Sequence, residues 1–317
     1  MTNQVEAVAE TIRAEVAKVV QGQAEVVEQA IVAVLAGGNI LLEGPPGTAK
    51  TLLVRAIARV MGCDFKRIQC TSDLMPSDII GTNVYDAGRG AFNLRKGPIF
   101  TELLLVDEVN RAPAKTQAAL LEAMQERQAT IDGERQGLPP LFTVFATQNP
   151  IEYEGTYPLP EAQLDRFLFK TKVSYPSKDD ETAILGSYVA GFDPNALEAF
   201  GVRAVYTRDE IAALRRDVAG VAAAPEMLAY IVEIVRRTRE WPTIAVGASP
   251  RAAVTLLVAS RALAAIRGRA FITPDETKGL APATLRHRVI LRPDAEIEGV
   301  TADDVVDEIL KSVPVPR

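Results

Sequence analysis

Apolar residues recur at helical spacing near the start of the chain and then gather into short continuous runs. Helical stripes cover residues 4 to 20 and 24 to 35, and a Gly-Gly pair follows the second stripe as a helix-ending signal. Residues 40 to 42 and 103 to 106 are apolar throughout, and residues 141 to 146 are interrupted only by a threonine. Continuous apolar runs are typical of parallel strands covered on both faces. The pattern predicts an α/β fold with a parallel sheet.

The character of the chain changes beyond Tyr175-Pro176. Strand patterns vanish, and helices begin with capping boxes, in which an acid lies three residues after a Ser or Thr. These boxes are Ser177 with Asp180, Thr207 with Glu210, Thr273 with Glu276, and Thr301 with Asp304. We place a domain boundary near residue 176. Residues 1 to 176 form the α/β domain, and residues 177 to 317 form an all-α lid of roughly five or six helices.

Two hairpins are predicted inside the α/β domain. Residues 82 to 97 contain two short strand patterns around a turn, and residues 129 to 137 contain an Asp-Gly pair, which is a strong hairpin signal. We expect Tyr85, Arg89 and Phe92 to be exposed on the first hairpin. Exposed aromatic side chains favour a surface that contacts a partner or client.

Composition narrows the class of protein. The 317 residues are 48% hydrophobic and 24% charged, which is typical of a soluble globular protein. No signal-peptide pattern is present and the longest apolar stretch, residues 252 to 266, is too short to span a bilayer, so we expect a cytoplasmic protein without a membrane segment. Cys63 and Cys70 lack metal-ligand spacing and are expected to be reduced core thiols. The net charge of −6 disfavours nucleic-acid binding, although a local basic patch can coexist with it.

A glycine-rich loop follows the first predicted strand and precedes a helix. The predicted phosphate-binding residues are Gly44, Pro45, Pro46, Gly47, Thr48, Ala49, Lys50, Thr51 and Leu52. Such a loop directs backbone N–H groups and the positive end of the helix toward a phosphate. We expect Lys50 to bind the β- and γ-phosphates of ATP and the Thr51 hydroxyl to bind Mg²⁺. Ala49 replaces a glycine of the strict pattern, and we expect it to fit because its φ should be negative.

Acidic and amide side chains follow the other two apolar runs. Asp107 and Glu108 end the second run, and Asn149 follows the third. Because ligands bind at the carboxyl ends of parallel strands, all three should lie near the phosphate loop. Adjacent strand residues point in opposite directions, so we expect Asp107 to bind Mg²⁺ through water and Glu108 to activate the attacking water. Asn149 would hydrogen-bond the γ-phosphate or that water, unless Asn149-Pro150 is simply a turn.

Together these motifs resemble the AAA+ ATPases, and several segments resemble the MoxR family in particular. The segments are Asp107-Glu108-Val109-Asn110-Arg111-Ala112-Pro113, residues 117 to 126, Ala146-Thr147-Gln148-Asn149-Pro150, Leu164-Asp165-Arg166-Phe167, Gly247-Ala248-Ser249-Pro250-Arg251-Ala252 and Leu285-Arg286-His287-Arg288. The resemblance covers almost the whole chain. It implies a five-stranded αβα nucleotide-binding domain, a helical lid and assembly into a hexameric ring.

The resemblance also implies roles for single residues. Asn149 would be sensor 1, and Arg166 would be the arginine finger that acts in trans on the neighbouring subunit. Arg251 would be the sensor 2 residue, reaching back from the lid to the nucleotide. The residues that match the adenine pocket are Gln21, Gly22 and Gln23. Without the resemblance, Arg166 would be read as a surface or salt-bridge residue.

Three further residues are expected to have no catalytic role. His287 follows a predicted helix, where a cation interacts favourably with the helix dipole, so we expect a structural cation rather than a base. Glu152 and Glu154 are expected to lie in a solvated loop.

The predicted function is ATP-driven, chaperone-like remodelling or maturation of a protein client. The resemblance implies a partner protein with a von Willebrand factor A domain. Three alternatives stay open: the ATPase subunit of a magnesium chelatase, a nucleic-acid motor, and a nucleotide-gated scaffold that hydrolyses ATP slowly. The basic side chains that would suit a nucleic-acid motor are Arg89, Arg95, Lys96, Arg127 and Arg135, around the two hairpins.

Overall fold

The structure is a computed structural model, and it describes residues 2–150 and 156–316. Glu152 and Glu154, expected in a solvated loop, lie outside the described residues. Within the described ranges, no helix is both long enough and apolar enough to cross a membrane.

Five parallel strands form the central sheet. The strands in chain order are β1 (Ile40–Glu43), β2 (Phe65–Gln69), β3 (Gly81–Asp86), β4 (Ala91–Lys96), β5 (Leu103–Asp107), β6 (Gln128–Ile131), β7 (Glu134–Gly137), β8 (Thr143–Gln148), β9 (Phe169–Lys172), β10 (Ile244–Val246) and β11 (Ile290–Leu291). The sheet order is β2-β5-β8-β1-β9, and the other strands form antiparallel pairs. The predicted α/β fold with a five-stranded parallel sheet is confirmed.

Helices pack around this sheet and build the second half of the chain. In chain order they are α1 (Thr2–Ala17), α2 (Ala24–Ala36), α3 (Lys50–Val60), α4 (Pro76–Ile80), α5 (Ala114–Glu126), α6 (Glu161–Leu164), α7 (Lys178–Val189), α8 (Arg208–Ala219), α9 (Pro225–Glu240), α10 (Pro250–Ile266), α11 (Pro274–Leu285), α12 (Pro293–Ile297) and α13 (Ala302–Ser312). The predicted end of α2 at the Gly-Gly pair is confirmed, since Gly37 follows the helix in the left-handed conformation.

The register of the sheet brings three strand ends together. Leu42 of β1 pairs with Thr147 of β8, and Val106 of β5 pairs with Ala146 of β8. The apolar side chains of these strands are buried, as their continuous apolar runs predict. The loops that follow β1, β5 and β8 therefore leave the sheet at the same edge.

The lid is helical, with one small antiparallel ribbon formed by β10 and β11. It contains α7 to α13, so the expectation of five or six helices without strands is wrong in detail. The five-residue α12 and the two-residue β11 are too short for periodicity to reveal. All four predicted capping boxes are confirmed. In one of them, Glu210 accepts a hydrogen bond from the backbone nitrogen of Thr207 at 2.7 Å.

Two partly buried arginines join separate segments of the chain, and the one on α8 attaches the lid to the α/β domain. Arg215 of α8 donates from Nε to the carbonyl of Val34 at 2.6 Å and from Nη2 to the Thr143 hydroxyl at 2.9 Å. Arg127 ends α5 with φ +55° and donates to the carbonyls of Gly37 and Phe142. Burial, with a smaller effect of Arg127, lowers the pKa of Arg215 to about 10. Arg127 is therefore a structural residue. The expectation that its side chain would suit a nucleic-acid motor is wrong, because two backbone carbonyls already bind its guanidinium.

One hydrophobic cluster spans both halves of the chain, from α1 and α2 through the sheet to α10, α11 and α13. The boundary near residue 176 therefore stays a prediction. Cys63 and Cys70 are buried free thiols, as expected for core packing. Burial raises the pKa of both thiols to about 12, which keeps them protonated at neutral pH.

Two hairpins project from the α/β domain. β3 and β4 form the first, on which Tyr85 and Phe92 are 58% and 71% exposed and have ring centroids 5.3 Å apart. β6 and β7 form the second, with Asp132 and Gly133 at positive φ in its turn. The Asn83 amide donates to the Asp132 carboxylate at 2.8 Å, which joins the two hairpins.

His287 is neutral in the fold, so the expectation of a structural cation is wrong. Its ring is buried, and burial, followed by the nearby charge of Arg288, lowers its pKa well below the ordinary value of 6.5. Its Nε2 lies 3.2 Å from the carbonyl of Phe167, which can only accept, so this nitrogen donates. The sequence places His287 after a helix but does not show that α11 packs against the α/β domain there.

The buried imidazole should make stability depend on pH. Below about pH 6.5 the unfolded chain binds a proton that the folded chain excludes, so the free energy of unfolding should fall by up to about 1.4 kcal/mol per pH unit. Above that pH, His287 should contribute no slope. His287→Gln keeps a donor for Phe167 and removes the only histidine, so it should flatten the profile between about pH 5.5 and 7. Urea unfolding across this range measures both chains, and equal slopes would contradict the assignment.

Candidate functional site

A cavity of about 570 Å³ lies at the carboxyl ends of β1, β5 and β8, and α7 forms part of its wall. The residues predicted for the site that line it are Gln21, Gln23, Gly44, Pro46, Gly47, Thr48, Ala49, Lys50, Thr51, Leu52, Asp107, Glu108 and Asn149. Pro45 and Gly22 belong to the same segments without lining the cavity. At Gly22 a Cβ would come within 2.7 Å of Asp180 Oδ2, so only glycine allows the start of α7 to approach this closely.

The loop between β1 and α3 is built by backbone conformation. Gly47 has φ +81° and Ala49, the residue before α3, has φ +60°. The expectation of a negative φ for Ala49 is therefore wrong. The chain must enter α3 through the left-handed region at this position, and alanine accepts the strain that glycine would avoid. The Thr48 hydroxyl donates to the carbonyl of Pro45 at 3.0 Å and closes the loop from within.

The Lys50 ammonium lies across this loop. It donates to the carbonyls of Gly44 at 2.8 Å and Pro45 at 2.7 Å. Burial lowers the pKa of Lys50, and the charges of Asp107 and Glu108 oppose that shift. A partly buried ammonium, the N–H groups of a glycine-rich turn and the start of α3 together form an anion site, which fits a nucleotide phosphate.

Thr51 and Asp107 meet beside the loop. The Thr51 hydroxyl is 3.4 Å from Asp107 Oδ2, and Asp107 Oδ1 accepts from the Thr147 hydroxyl at 3.0 Å. A hydroxyl and a carboxylate next to a phosphate site are the oxygen ligands that suit Mg²⁺. Arg67 Nε is 2.7 Å from Asp107 Oδ2 and provides the counter-charge in this structure.

Glu108 lies beyond the end of β5 with φ +55° and ψ +52°. Adjacent residues on a strand would point apart, but this left-handed turn lets both acids line the same cavity, which corrects the expectation of opposite directions. The two carboxylates still have different surroundings. Glu108 Oε2 accepts from the Gln69 amide at 2.9 Å and pairs with Arg111 at 3.3 Å.

Sequence reasoning missed two groups of cavity residues. Arg67 and Gln69 lie on β2, and their alternation at i and i+2 was the only available signal that they share a face. The second group comes from the lid and its approach: Ile184, Ser187, Tyr188, Phe192, Pro194 and Asn195. Arg55 of α3 binds the carbonyl of Pro194 at 2.8 Å, so the helix after the phosphate loop contacts the lid directly.

Arg166 and Arg251 do not line this cavity. They line a second cavity of about 290 Å³, together with Asp165 and the end of α2. Arg166 Nη1 donates to the carbonyl of Leu121 at 3.0 Å, and Arg251 lies in the first turn of α10 as its Ser-Pro start predicts. The expectation that Arg251 reaches back to the phosphate loop of its own chain does not hold in this structure, because α10 begins beside Asp165 instead.

Comparison with known proteins identifies this fold. The family model described as "ATPase family associated with various cellular activities (AAA)" matches residues 39–169, and the model of the AAA lid domain matches residues 236–309. A crystal structure from Cytophaga hutchinsonii, named as a candidate ATPase, superposes with a TM-score of 0.91 at 39% identity and covers 100% of this chain and 97% of its own. The fold is that of an AAA+ domain with its lid.

Curated relatives narrow the assignment. Chaperone MoxR1 of Mycobacterium tuberculosis is 42% identical, and the match covers 96% of this chain and 81% of that protein. The uncharacterised protein YeaC of Bacillus subtilis is 45% identical, over 94% of this chain and 92% of YeaC. The chain belongs to the MoxR family of AAA+ ATPases.

The strained alanine of the phosphate loop gives a test of its backbone conformation. Left-handed φ costs alanine about 1–2 kcal/mol, whereas the extra freedom of an unfolded glycine costs about 0.5–1 kcal/mol. Ala49→Gly should therefore raise the free energy of unfolding by up to about 1.5 kcal/mol. Gly47→Ala is the matched control, because a Cβ there meets no atom within 4 Å, and it should destabilise through its φ of +81° alone. Urea unfolding measures both variants, and destabilisation by Ala49→Gly would contradict the conformation.

Proposed function

We propose that this protein hydrolyses ATP with Mg²⁺ in the cavity at the end of the parallel sheet and uses the energy to remodel a protein client. The observation that carries the proposal is the meeting of three groups in one cavity. The phosphate loop with Lys50, the pair of Thr51 and Asp107, and the carboxylate of Glu108 line the same cavity, although they come from two separate segments of the chain, the loop after β1 and the end of β5. Each has the chemistry that phosphoryl transfer requires.

Nucleotide binding follows from the loop and the lid. The Lys50 ammonium would exchange the carbonyls of Gly44 and Pro45 for phosphate oxygens, which bind a cation more strongly because they are charged. The adenine ring would lie toward Gln21 and Gln23, whose segment lines the same cavity. Gln23 donates to the carbonyl of Ser174 at 2.9 Å, so that segment is fixed to the chain leading into the lid.

Thr51 and Asp107 would hold Mg²⁺, Asp107 through water. The ion would neutralise charge on the phosphates. The exchange of partners is feasible because the side chain of the present partner, Arg67, is half exposed, so water can solvate its guanidinium after it leaves Asp107.

Glu108 is the proposed base. Its carboxylate would accept a proton from the attacking water, and Gln69 and Arg111 orient it for that task. Asn149 follows β8 at the same edge, and its amide would orient the γ-phosphate or the water. Both roles rest on position in the cavity together with family membership.

Arg166 and Arg251 would act on the neighbouring subunit. A transferring phosphoryl group needs cations, yet both arginines lie on a different cavity from the phosphate loop of their own chain. A ring of subunits resolves this separation, since the arginine face of one subunit would meet the nucleotide cavity of the next. The family resemblance supports a hexameric ring, and the shared face extends the trans role from Arg166 to Arg251.

The client and partner are proposed to be proteins. The first hairpin exposes Tyr85 and Phe92, apolar rings that suit a protein surface better than a phosphate backbone. Arg127 is not available to a nucleic-acid backbone, because its partly buried guanidinium donates to two backbone carbonyls. A partner with a von Willebrand factor A domain remains the proposal drawn from the family, as does the cytoplasm as its compartment.

Substitution of the two carboxylates separates their roles. Glu108→Gln keeps shape and loses the base, so ATP should still bind while the rate falls by about 10²–10⁴. Asp107→Asn removes charge beside Thr51, so the Mg²⁺ concentration needed for half-maximal rate should rise. Binding of a fluorescent ATP analogue and hydrolysis at varied Mg²⁺ measure both effects. Loss of ATP binding in Glu108→Gln with unchanged Mg²⁺ dependence in Asp107→Asn would reverse the assignment.

Mixed rings test the shared site. Arg166→Ala should bind ATP and lose about 10³ or more in rate. Glu108→Gln should be inactive for a different reason, so mixing the two variants should restore part of the activity. In a mixed ring an Arg166→Ala subunit keeps its own Glu108 and receives Arg166 from its neighbour. Mixed assembly is verified by pull-down of differently tagged subunits, and absence of rescue in verified mixtures would reject the trans arginine.

A further inference from the structure

Asp165 directly precedes Arg166 and joins the α/β domain to the lid. Its Oδ1 accepts a hydrogen bond from Nε of Arg288 at 2.7 Å, and its Oδ2 accepts one from the Ser249 hydroxyl at 3.2 Å. Arg288 follows α11, and its side chain is 1% exposed. Ser249 precedes α10. One carboxylate is therefore held by two separate lid elements.

The guanidinium of Arg288 also holds the backbone on both sides of Arg166. It donates to the carbonyls of Asp165 at 3.0 Å, Phe167 at 2.5 Å and Leu168 at 3.3 Å. A planar guanidinium with its donors at fixed angles allows little rotation when it meets several acceptors. The chain segment that carries Arg166 thus has one orientation relative to the lid.

The same carboxylate reaches the helix start that carries Arg251. Ser249 occupies the N-cap position of α10, but its hydroxyl makes no capping hydrogen bond and binds Asp165 instead. Burial lowers the pKa of the Arg288 guanidinium, Asp165 raises it, and the nearby charge of Arg251 lowers it further. Arg251 is therefore close to this ion pair, and it lines the same cavity as Arg166.

We propose that Asp165 is a positioning residue for both arginines. Through Arg288 and Ser249 it fixes Arg166 and Arg251 relative to each other, so that one subunit presents them as a unit to the nucleotide of the next. This inference rests on the proposed function, in which both arginines act in trans. It adds the element that sets their geometry and makes that geometry depend on the position of the lid.

Stability alone does not explain the arrangement. A buried ion pair gains little over an apolar pair of similar volume, because both charges lose their hydration. What the pair does supply is a fixed orientation of the segment that carries Arg166, since Asp165 bonds to two partners and Arg288 to several. Catalysis requires such a fixed orientation, because misplacing a catalytic group by about 1 Å can cost about 10²-fold in rate.

Asp165→Asn is the first test, in the full-length chain with ATP and Mg²⁺. The substitution keeps shape and removes the charge that orders Arg288, so kcat should fall about ten- to a hundredfold while ATP affinity stays near normal. Asp303→Asn is the matched control. Asp303 is 25% exposed against 24% for Asp165, and it accepts from Nε of Arg286 at 2.8 Å, away from the arginine face. The control should keep kcat near that of the unmodified chain.

Mixed rings distinguish positioning from a general loss of structure. Asp165→Asn subunits keep their own Glu108 and present a misplaced Arg166, so Glu108→Gln subunits should restore activity to the mixture. Arg166→Ala subunits should not restore it, since both partners then lack a working finger. The double variant Asp165→Asn with Arg166→Ala should be no slower than Arg166→Ala alone.

Each outcome decides between the two proposals. Normal kcat in Asp165→Asn, or failure of its rescue by Glu108→Gln while Arg166→Ala is rescued, overturns the positioning role and leaves the trans arginine intact. Failure of the Arg166→Ala rescue itself overturns both. If Asp165→Asn does not fold, Ser249→Ala replaces it, because this change removes only the 3.2 Å hydrogen bond to Asp165. A normal kcat in folded Ser249→Ala would then overturn the coupling to α10.

Discussion

A single buried hydroxyl, that of Thr147 on β8, joins the two acidic residues of the cavity. It donates to Asp107 Oδ1 at 3.0 Å and accepts from the backbone nitrogen of Glu108 at 2.9 Å. Because β8 also pairs with β1, Thr147 lies beside Leu42, two residues before the phosphate loop begins. Thr147 thus fixes the relative positions of the loop, the carboxylate proposed to bind Mg²⁺ and the proposed base. A shift in strand register would displace all of them together, since one residue of slip reverses every side chain.

The charges around this point balance locally. Lys50 and Arg67 face Asp107 and Glu108, and the ammonium of Lys50 uses loop carbonyls as further acceptors. A nucleotide brings several negative charges, and a divalent cation offsets part of them. The cavity could accept a nucleotide and a cation because the present interactions of its charged side chains differ in strength. The pairs that must change are with an exposed arginine and with neutral carbonyls, whereas the buried Thr147 bond to Asp107 can remain.

Local signals were sufficient for the elements and for most of the cavity. The glycine-rich loop, the apolar strands and the capping boxes each depend on residues that are close together in the sequence, so the sequence shows them directly. Three of the errors involve long-range packing. The neutrality of His287 depends on burial against Phe167, the structural role of Arg127 depends on carbonyls from two other segments, and Arg67 reaches Asp107 only because β2 pairs with β5. The φ of Ala49 is a local feature, but alanine itself gives no signal for a left-handed conformation.

Under the proposed function, the lid takes part in both halves of a site that two subunits share. Its helix α7 forms part of the wall of the nucleotide cavity, while α10 and the residue after α11 hold the segment that carries Arg166. Any movement of the lid that follows nucleotide binding would therefore change the arginines offered to the next subunit. Coupling of this kind needs no separate signalling path, because one rigid body contacts both sites. The buried hydrogen bonds of Arg288 hold the lid rigidly against the α/β domain near Arg166. At the cavity where ATP would bind, an exposed side chain such as Arg67 can change its partner more easily.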